Sequence, residues 1–115
     1  MRNFSNWETA VIAKDDAGKL SAAVDLGRPY RSLAVIVPTI DSASVTVHVT
    51  DVIGGTYQAL YYISTNDGDD DAAITTAGVG GITVVFPFFG FQYFKIAVGA
   101  TQTTAARTFK VRGFD

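Results

Sequence analysis

The chain has 115 residues, enough for one packed core and too few for two ordinary domains. Its nine Lys and Arg residues are scattered, and with eleven Asp and Glu residues the net charge is −2, so the clustered positive charge typical of nucleic-acid-binding proteins is absent. The sequence has no cysteine, which excludes disulfides and thiolate zinc sites, and no apolar run approaches the roughly 20 residues of a membrane-spanning helix.

Residues 1–8 are predicted to form an extended arm in front of a single domain of residues 9–115. The arm carries two aromatic rings, Phe4 and Trp7, but too few apolar neighbours to build a core of its own. We therefore expect it to dock, either on its own domain or on a neighbouring subunit, where it would act as a clamp. The first residues lack the long apolar segment of a secretory signal, which favours folding in a cytosol.

The next part of the chain is predicted to form three strands, at residues 9–13, 20–26 and 33–37. Apolar and small residues alternate in the second of them, and Gly27 with Pro29 is expected to break the chain into a corner before the third. The third strand is a continuous apolar run closed by Pro38. Such a run indicates a strand covered on both faces, or one that packs on the core and lies under a partner.

The most regular strand pattern lies at residues 44–51, where three valines alternate with Thr46, His48 and Thr50. This alternation predicts a valine face toward the core and places His48 on the surface. Further strands are predicted at residues 57–63, 82–86, 93–98 and 108–112. About eight short strands separated by turns indicate an all-β fold, a single antiparallel β-sandwich that is jelly-roll-like, although an immunoglobulin-like order would give nearly the same pattern.

Residues suited to catalysis or metal binding are scarce. His48 and Glu8 are the only residues of their types, so we expect no enzyme, no catalytic residue and no cofactor. The acidic segment 66–71 could offer oxygen ligands to calcium, but the position where an EF-hand has its last Glu is Gly78. We therefore expect a solvated hairpin tip between Asp67 and Asp71 rather than a metal site.

Six aromatic rings fall within residues 86–94. If Phe86 and Phe94 face the interior, some of Phe88, Phe89 and Phe91 must emerge in a turn interrupted by Pro and Gly. Exposed rings of this kind usually mark a contact surface, and the alternative is a loop that closes one end of the domain. With the arm rings Phe4 and Trp7, these three residues are the predicted contacts to a partner or a second subunit.

The order of segments resembles that of small virion proteins of tailed phages, the capsid cement or decoration proteins. The resemblance rests on LSAAVDLG at 20–27, LAVIVP at 33–38 and SVTV at 44–47, with a tyrosine strand at 57–61, FKIAVG at 94–99 and AARTF at 105–109. The chain departs from that pattern at DVIGG, residues 51–55, where those proteins often have a serine-aspartate-glycine turn, and in its acidic, glycine-rich segment 66–81.

This resemblance implies a structural protein of the virion that lies on the capsid surface after assembly in the host cytoplasm. It would bridge subunits of the major capsid protein, as a homo-oligomer such as a dimer or trimer. It would require no cofactor, nucleic acid, membrane or small-molecule substrate.

Two other functions stay open. One is a carbohydrate-binding β-sandwich module, in which Tyr61, Tyr62 and Phe88 would stack on sugars and Asp69 would bind hydroxyl groups. The other is a tail or head-fibre adaptor of a phage, which would share the fold and differ only in its partner.

Overall fold

The computed structural model describes the backbone of residues 3–63, 70–72 and 74–115 and the side chains of residues 3–61 and 78–115. Its secondary structure is entirely β, with nine strands and no helix among these residues. The strands are β1 (Glu8–Ile12), β2 (Val24–Val37), β3 (Ala43–Thr50), β4 (Gln58–Ala59), β5 (Tyr61–Ile63), β6 (Asp70–Ala72), β7 (Ile74–Gly78), β8 (Ile82–Val98) and β9 (Arg107–Phe114). All strand pairs are antiparallel, so the predicted all-β, antiparallel class is confirmed.

Seven of these strands form one continuous sheet. Its order is β1-β9-β2-β8-β3, and both β4 and β7 pair with the far edge of β3. β4 lies against His48 and Val49 near the end of β3, whereas β7 lies against the stretch from Ala43 to Thr46. β5 and β6 form a separate two-stranded ladder. The sheet thus has other strand boundaries than the eight short strands predicted from the sequence.

The main cause of the difference is that two long strands continue through predicted breaks. β2 joins the predicted strands 20–26 and 33–37. β8 continues without a break through the aromatic segment that was predicted as a turn. The β2–β8 register shifts on both sides of Tyr30, where Gly27 has φ 90° and Gly90 has φ 87°. A β-bulge bends a strand and strengthens its twist without ending the ladder. Glycine and proline therefore bend these two strands instead of terminating them.

The second difference concerns residues 57–78. The predicted strand 57–63 is divided into β4 and β5 by Leu60, whose side chain is buried and whose N–H donates to the Val47 carbonyl at 2.9 Å. β7 has no counterpart among the predicted strands because its sequence, ITTAG, shows no apolar alternation. Residues 66–69 of the predicted hairpin tip lie outside the described part of the chain.

The buried face of the sheet forms a single hydrophobic core. The valines of β3 point into it as the alternation predicts, and Phe109 and Val111 of β9 do so as well. His48 lies half-buried on the opposite side of β3, beside Lys95 of β8. Burial, together with the charge of Lys95, lowers the pKa of His48 and favours a neutral imidazole.

A polar cluster joins the loop after β2 to the loop before β9. The Asp41 carboxylate accepts hydrogen bonds from the backbone N–H of Thr103 (2.7 Å) and the hydroxyl of Thr104 (2.9 Å), and it pairs with Arg107 at 3.2 Å. The completely buried Gln102 accepts from the Asp41 N–H at 2.7 Å and donates to its carbonyl at 3.2 Å. These bonds give hydrogen-bond partners to backbone N–H and C=O groups of the two loops, which lie outside the strand ladders.

We expect Asp41→Asn to reduce stability at neutral pH and to remove part of its acid sensitivity. Hydrogen bonds from Thr104 and Thr103 are the main cause that lowers the Asp41 pKa from 3.8 to about 2. Between these values the unfolded chain binds more protons than the folded one, so this stabilisation is present above pH 3.8 and is lost as the pH falls toward about 2. An asparagine would also place an amide NH2, itself a donor, against the donors of Thr103, Thr104 and Arg107.

The measurement is urea unfolding of both proteins from neutral pH down to about pH 2. The matched control is Asp15→Asn, because Asp15 is an exposed carboxylate whose ion pair with Lys14 is also exposed. Equal acid sensitivity of the Asp41→Asn variant and the unmodified protein would contradict this assignment.

Candidate interaction surface

The N-terminal arm lies on its own domain. Residues 3–5 continue the edge of the sheet beyond β1: Ser5 N–H donates to the Gly113 carbonyl at 2.8 Å, and Gly113 N–H donates to the Ser5 hydroxyl at 3.0 Å. Asp115 N–H donates to the Asn3 carbonyl at 2.9 Å. The sequence left open whether the arm docks on its own domain or on a neighbouring subunit. In the structure it docks on its own domain.

The two arm rings enclose a cation. The Arg112 guanidinium carbon lies 4.5 Å from the ring centres of both Phe4 and Trp7. Its Nε is buried with no hydrogen-bond partner among the described residues, so the two ring faces are its principal contacts there. Both rings remain about half exposed, which leaves their outer surfaces available to a partner.

The three aromatic residues predicted at the turn have three different environments. Phe88 is completely buried and packs edge-to-face against Phe94, with ring centres 5.4 Å apart. It cannot contact a partner in this conformation, and that part of the prediction is corrected. Phe91 is half-buried, and Phe89 is 57% exposed at a φ of 56°, which is rare for a bulky residue. The predicted contact residues thus do not form one patch.

A more extensive apolar surface lies on the outer face of the sheet, the side of β1, β9, β2 and the first half of β8 that points away from the core. Ile36 is 38% exposed and Val85 is 60% exposed on this face, and Val11 is also exposed. The continuous apolar run 33–37 indicates a strand covered on both sides. The described part of the chain buries Leu33, Val35 and Val37 on the core side of this run and leaves Ile36, on the other side, partly exposed.

The register aligns the residues of the outer face in two rows. One row crosses the sheet from Thr9 through Lys110 to Ile36, and the next runs from Arg112 through Ala34 to Val85. An open depression of about 350 Å³ lies at one side, lined by Trp7, Glu8, Thr9, Ile36 and Lys110. The outer face therefore combines the apolar side chains of Ile36, Ala34 and Val85 with the neighbouring cations Lys110 and Arg112 of β9. Protein interfaces commonly combine apolar and polar residues in this way.

Ile36 and Val85 were not among the contact residues predicted from the sequence. For Ile36 the signal is present in the sequence, because the apolar run 33–37 has no polar residue to mark a solvent face. What the sequence lacks is the register that sets Ala34 beside both Arg112 and Val85.

No helix long and apolar enough to cross a membrane occurs in the described ranges. Over the same ranges, no three His, Cys, Asp or Glu side chains lie close enough together to hold a metal ion. Asp67 to Asp69 of the acidic segment fall outside these ranges, as do the side chains of Asp70 and Asp71.

Comparison with protein-family models and with curated proteins finds no match. Among solved structures, the chain is similar to the prophage-derived protein YomS of SPBc2, with a TM-score of 0.52 and 16% identity over 96% of each chain. It is also similar to the exported protein XepA of PBSX, with a TM-score of 0.53 and 16% identity over 96% of this chain. The chain spans only 39% of the length of XepA. These likenesses show a shared fold.

Proposed function

We propose that this protein is a structural virion protein of a tailed phage, a cement or decoration protein that bridges major capsid protein subunits on the outside of the shell. In this proposal the bent sheet is the jelly-roll-like sandwich body of such a protein. The prophage origin stated for YomS, which has the same fold, supports the search for a partner in a virion.

The observation that carries the proposal is the outer face, where a strand with an uninterrupted apolar sequence leaves Ile36 38% exposed. Val85 and the ring of Trp7 extend this exposed apolar surface on the same side of the sheet. Large apolar side chains collected on one face usually serve contact with another protein. Phe89, exposed at the β8 bulge, is a second proposed contact.

The energetics suit a protein that binds in many copies. Complete burial of one Ile, Val or Phe side chain contributes only about 1.5–3 kcal/mol, so one small face gives moderate affinity. Contacts to two neighbouring shell subunits, or dimerisation or trimerisation of this chain, raise the effective concentration for the second contact. The shell can therefore retain the protein without a large interface.

The test compares binding of two double variants to purified shells that lack this protein. Ile36→Lys with Val85→Lys introduces charge into the outer face, and we expect shell binding at least about tenfold weaker. Val52→Lys with Ile53→Lys is the matched control, because these exposed aliphatic residues lie in the turn after β3 and outside that face. Its binding should equal that of the unmodified protein.

Equal binding of both double variants would overturn the outer-face assignment. Melting temperatures of all three proteins show that the fold is retained, since the four residues are exposed. Binding to purified tails or head fibres, and none to shells, would instead favour the adaptor role.

A further inference from the structure

A groove lined by polar and aromatic residues lies beside the bulge in the middle of β8, apart from the outer face. It consists of two adjoining open depressions of about 330 Å³ and about 250 Å³ that share Thr50, Asp51 and Phe91. The first also includes Gln58 and Tyr61, together with Val49, Thr56, Ala59 and Leu60. The second is completed by Pro29, Gly90, Gln92 and Tyr93. We call the two depressions together the β3–β8 groove.

The bulge in β8 builds one wall of this groove. Phe89 at φ 56° and Gly90 at φ 87° displace the strand, so that Phe88 turns into the core while Phe91 lines the groove. Backbone strain in a bulky residue often occurs at sites where a side chain must be redirected. The edge-to-face contact between Phe88 and Phe91, at 6.2 Å, keeps the second ring in place.

Hydrogen bonds fix the other walls. Gln92 Nε2 donates to Asp25 Oδ1 at 2.8 Å, which holds the amide and leaves its oxygen as an acceptor. The loop after β3 is held by the Tyr57 hydroxyl, which donates to the Ile53 carbonyl at 2.8 Å, and by the Lys95 ammonium over the Tyr57 ring at 4.7 Å. Both walls are therefore preorganised before any ligand binds.

The groove is lined by aromatic rings together with carboxylate and amide groups that can bind hydroxyl groups. Tyr61 is 56% exposed and offers a ring face. The exposed Asp51 carboxylate is neither hydrogen-bonded nor ion-paired to any side chain in the described part of the chain, so it can accept two hydroxyl groups. Gln58 and Gln92 add amides, and none of the described residues that line the groove is a Lys or Arg.

From this lining we infer that the β3–β8 groove binds an oligosaccharide of non-acidic pyranose units, a role independent of contact with a shell. Sugar rings have apolar faces that stack on Tyr61 and Phe91, and their hydroxyl groups donate to Asp51. A sugar carboxylate, sulfate or phosphate would meet the Asp51 charge with no cation in the lining, so acidic ligands are disfavoured. A purely apolar ligand would leave the carboxylate and amides without partners.

This assignment corrects the residues that the sequence suggested for a sugar site. Tyr61 lines the groove, whereas Phe88 is buried in the core. The side chains of Tyr62 and Asp69 lie outside the described part of the chain. Asp51 and Phe91 take their places in the proposed site.

The experiment titrates the full chain with soluble β-1,4-linked glucose and β-1,4-linked N-acetylglucosamine oligosaccharides, and with an oligogalacturonate as the acidic probe. Binding is followed by amide chemical shifts in NMR spectra. We expect at least one of the two neutral probes to bind, with shifts at Thr50, Asp51 and Phe91, and the acidic probe not to bind.

Variants then locate the site. Tyr61→Ala should weaken binding about tenfold and Asp51→Asn about fivefold, whereas Tyr61→Phe should retain most of it because the ring remains. The matched control is Phe4→Ala, because Phe4 is a 42% exposed ring in the N-terminal arm, whereas Tyr61 is 56% exposed and only Tyr61 lines the groove. Its affinity should not change.

The inference is overturned if neither neutral probe binds, or if the acidic probe binds better than both. It is also overturned if Tyr61→Ala and Phe4→Ala behave alike. None of these results bears on shell binding by the outer face, so the two proposals fail or stand separately.

Discussion

Replacing Phe88 with alanine is expected to lower the free energy of unfolding by about 3–5 kcal/mol. The ring is completely buried and makes edge-to-face contacts with Phe94 at 5.4 Å and with Phe91 at 6.2 Å. Its removal leaves a cavity in the hydrophobic core beside β8, and this cavity cannot close easily because β8 is fixed by ladders to β2 and β3. For a domain of this size the loss amounts to a drop in melting temperature of roughly 15 °C.

The neighbouring Phe89 provides the control, since Phe89→Ala makes the same chemical change one residue further along the chain. Phe89 is exposed, so we expect a change within about 0.5 kcal/mol. Urea unfolding with a common slope for all three proteins measures both values. Similar losses for the two variants would mean that the β8 bulge does not direct the two rings to opposite sides.

The second large effect is expected for Gly80→Ala, in the turn between β7 and β8. Gly80 has φ 80°, and a Cβ placed there would lie 1.8 Å from the Pro38 carbonyl oxygen. The backbone would have to move, because a carbonyl at the end of β2 cannot rotate away as a flexible side chain can. Overpacking and left-handed strain together should cost roughly 3 kcal/mol or more.

Gly81→Ala separates the close approach from the backbone strain. Gly81 has a similar φ of 74°, but a Cβ there would meet nothing within 4 Å. This variant should lose only about 1 kcal/mol, the ordinary cost of an L-residue in the left-handed region. Equal losses for the two variants, measured by thermal and urea unfolding, would contradict the close contact between this turn and Pro38.

Local patterns predicted those parts of the fold that depend on one strand alone. Strict alternation correctly placed Val45 and Val47 in the core, and Phe109 and Val111 followed the same rule. The orientation of the aromatic rings at residues 86–94 was harder to predict, because a bulge changes which residues face inward. The position of the bulge depends on the pairing of β8 with β2. The sequence therefore placed Phe88 in a turn, whereas the ladder carries it into the core.

The contact surface could be predicted only in part, for a similar reason. Phe4 and Trp7 were expected to dock as arm residues, but Arg112, the residue they enclose, is more than a hundred positions away in the sequence. Ile36 gave a visible signal, an apolar strand with no solvent face, without showing which of its sides the chain leaves open. That choice depends on the register with β8 and β9.

The most direct test of the proposed function is rate-zonal sedimentation of a lysate from the system that produces this protein, with the chain followed across the gradient by mass spectrometry. A cement or decoration protein should migrate with large particles in a copy number comparable to that of the major capsid protein. A few copies per particle would indicate an adaptor of the tail or head fibres instead. Recovery of the protein only at the top of the gradient would contradict a virion role.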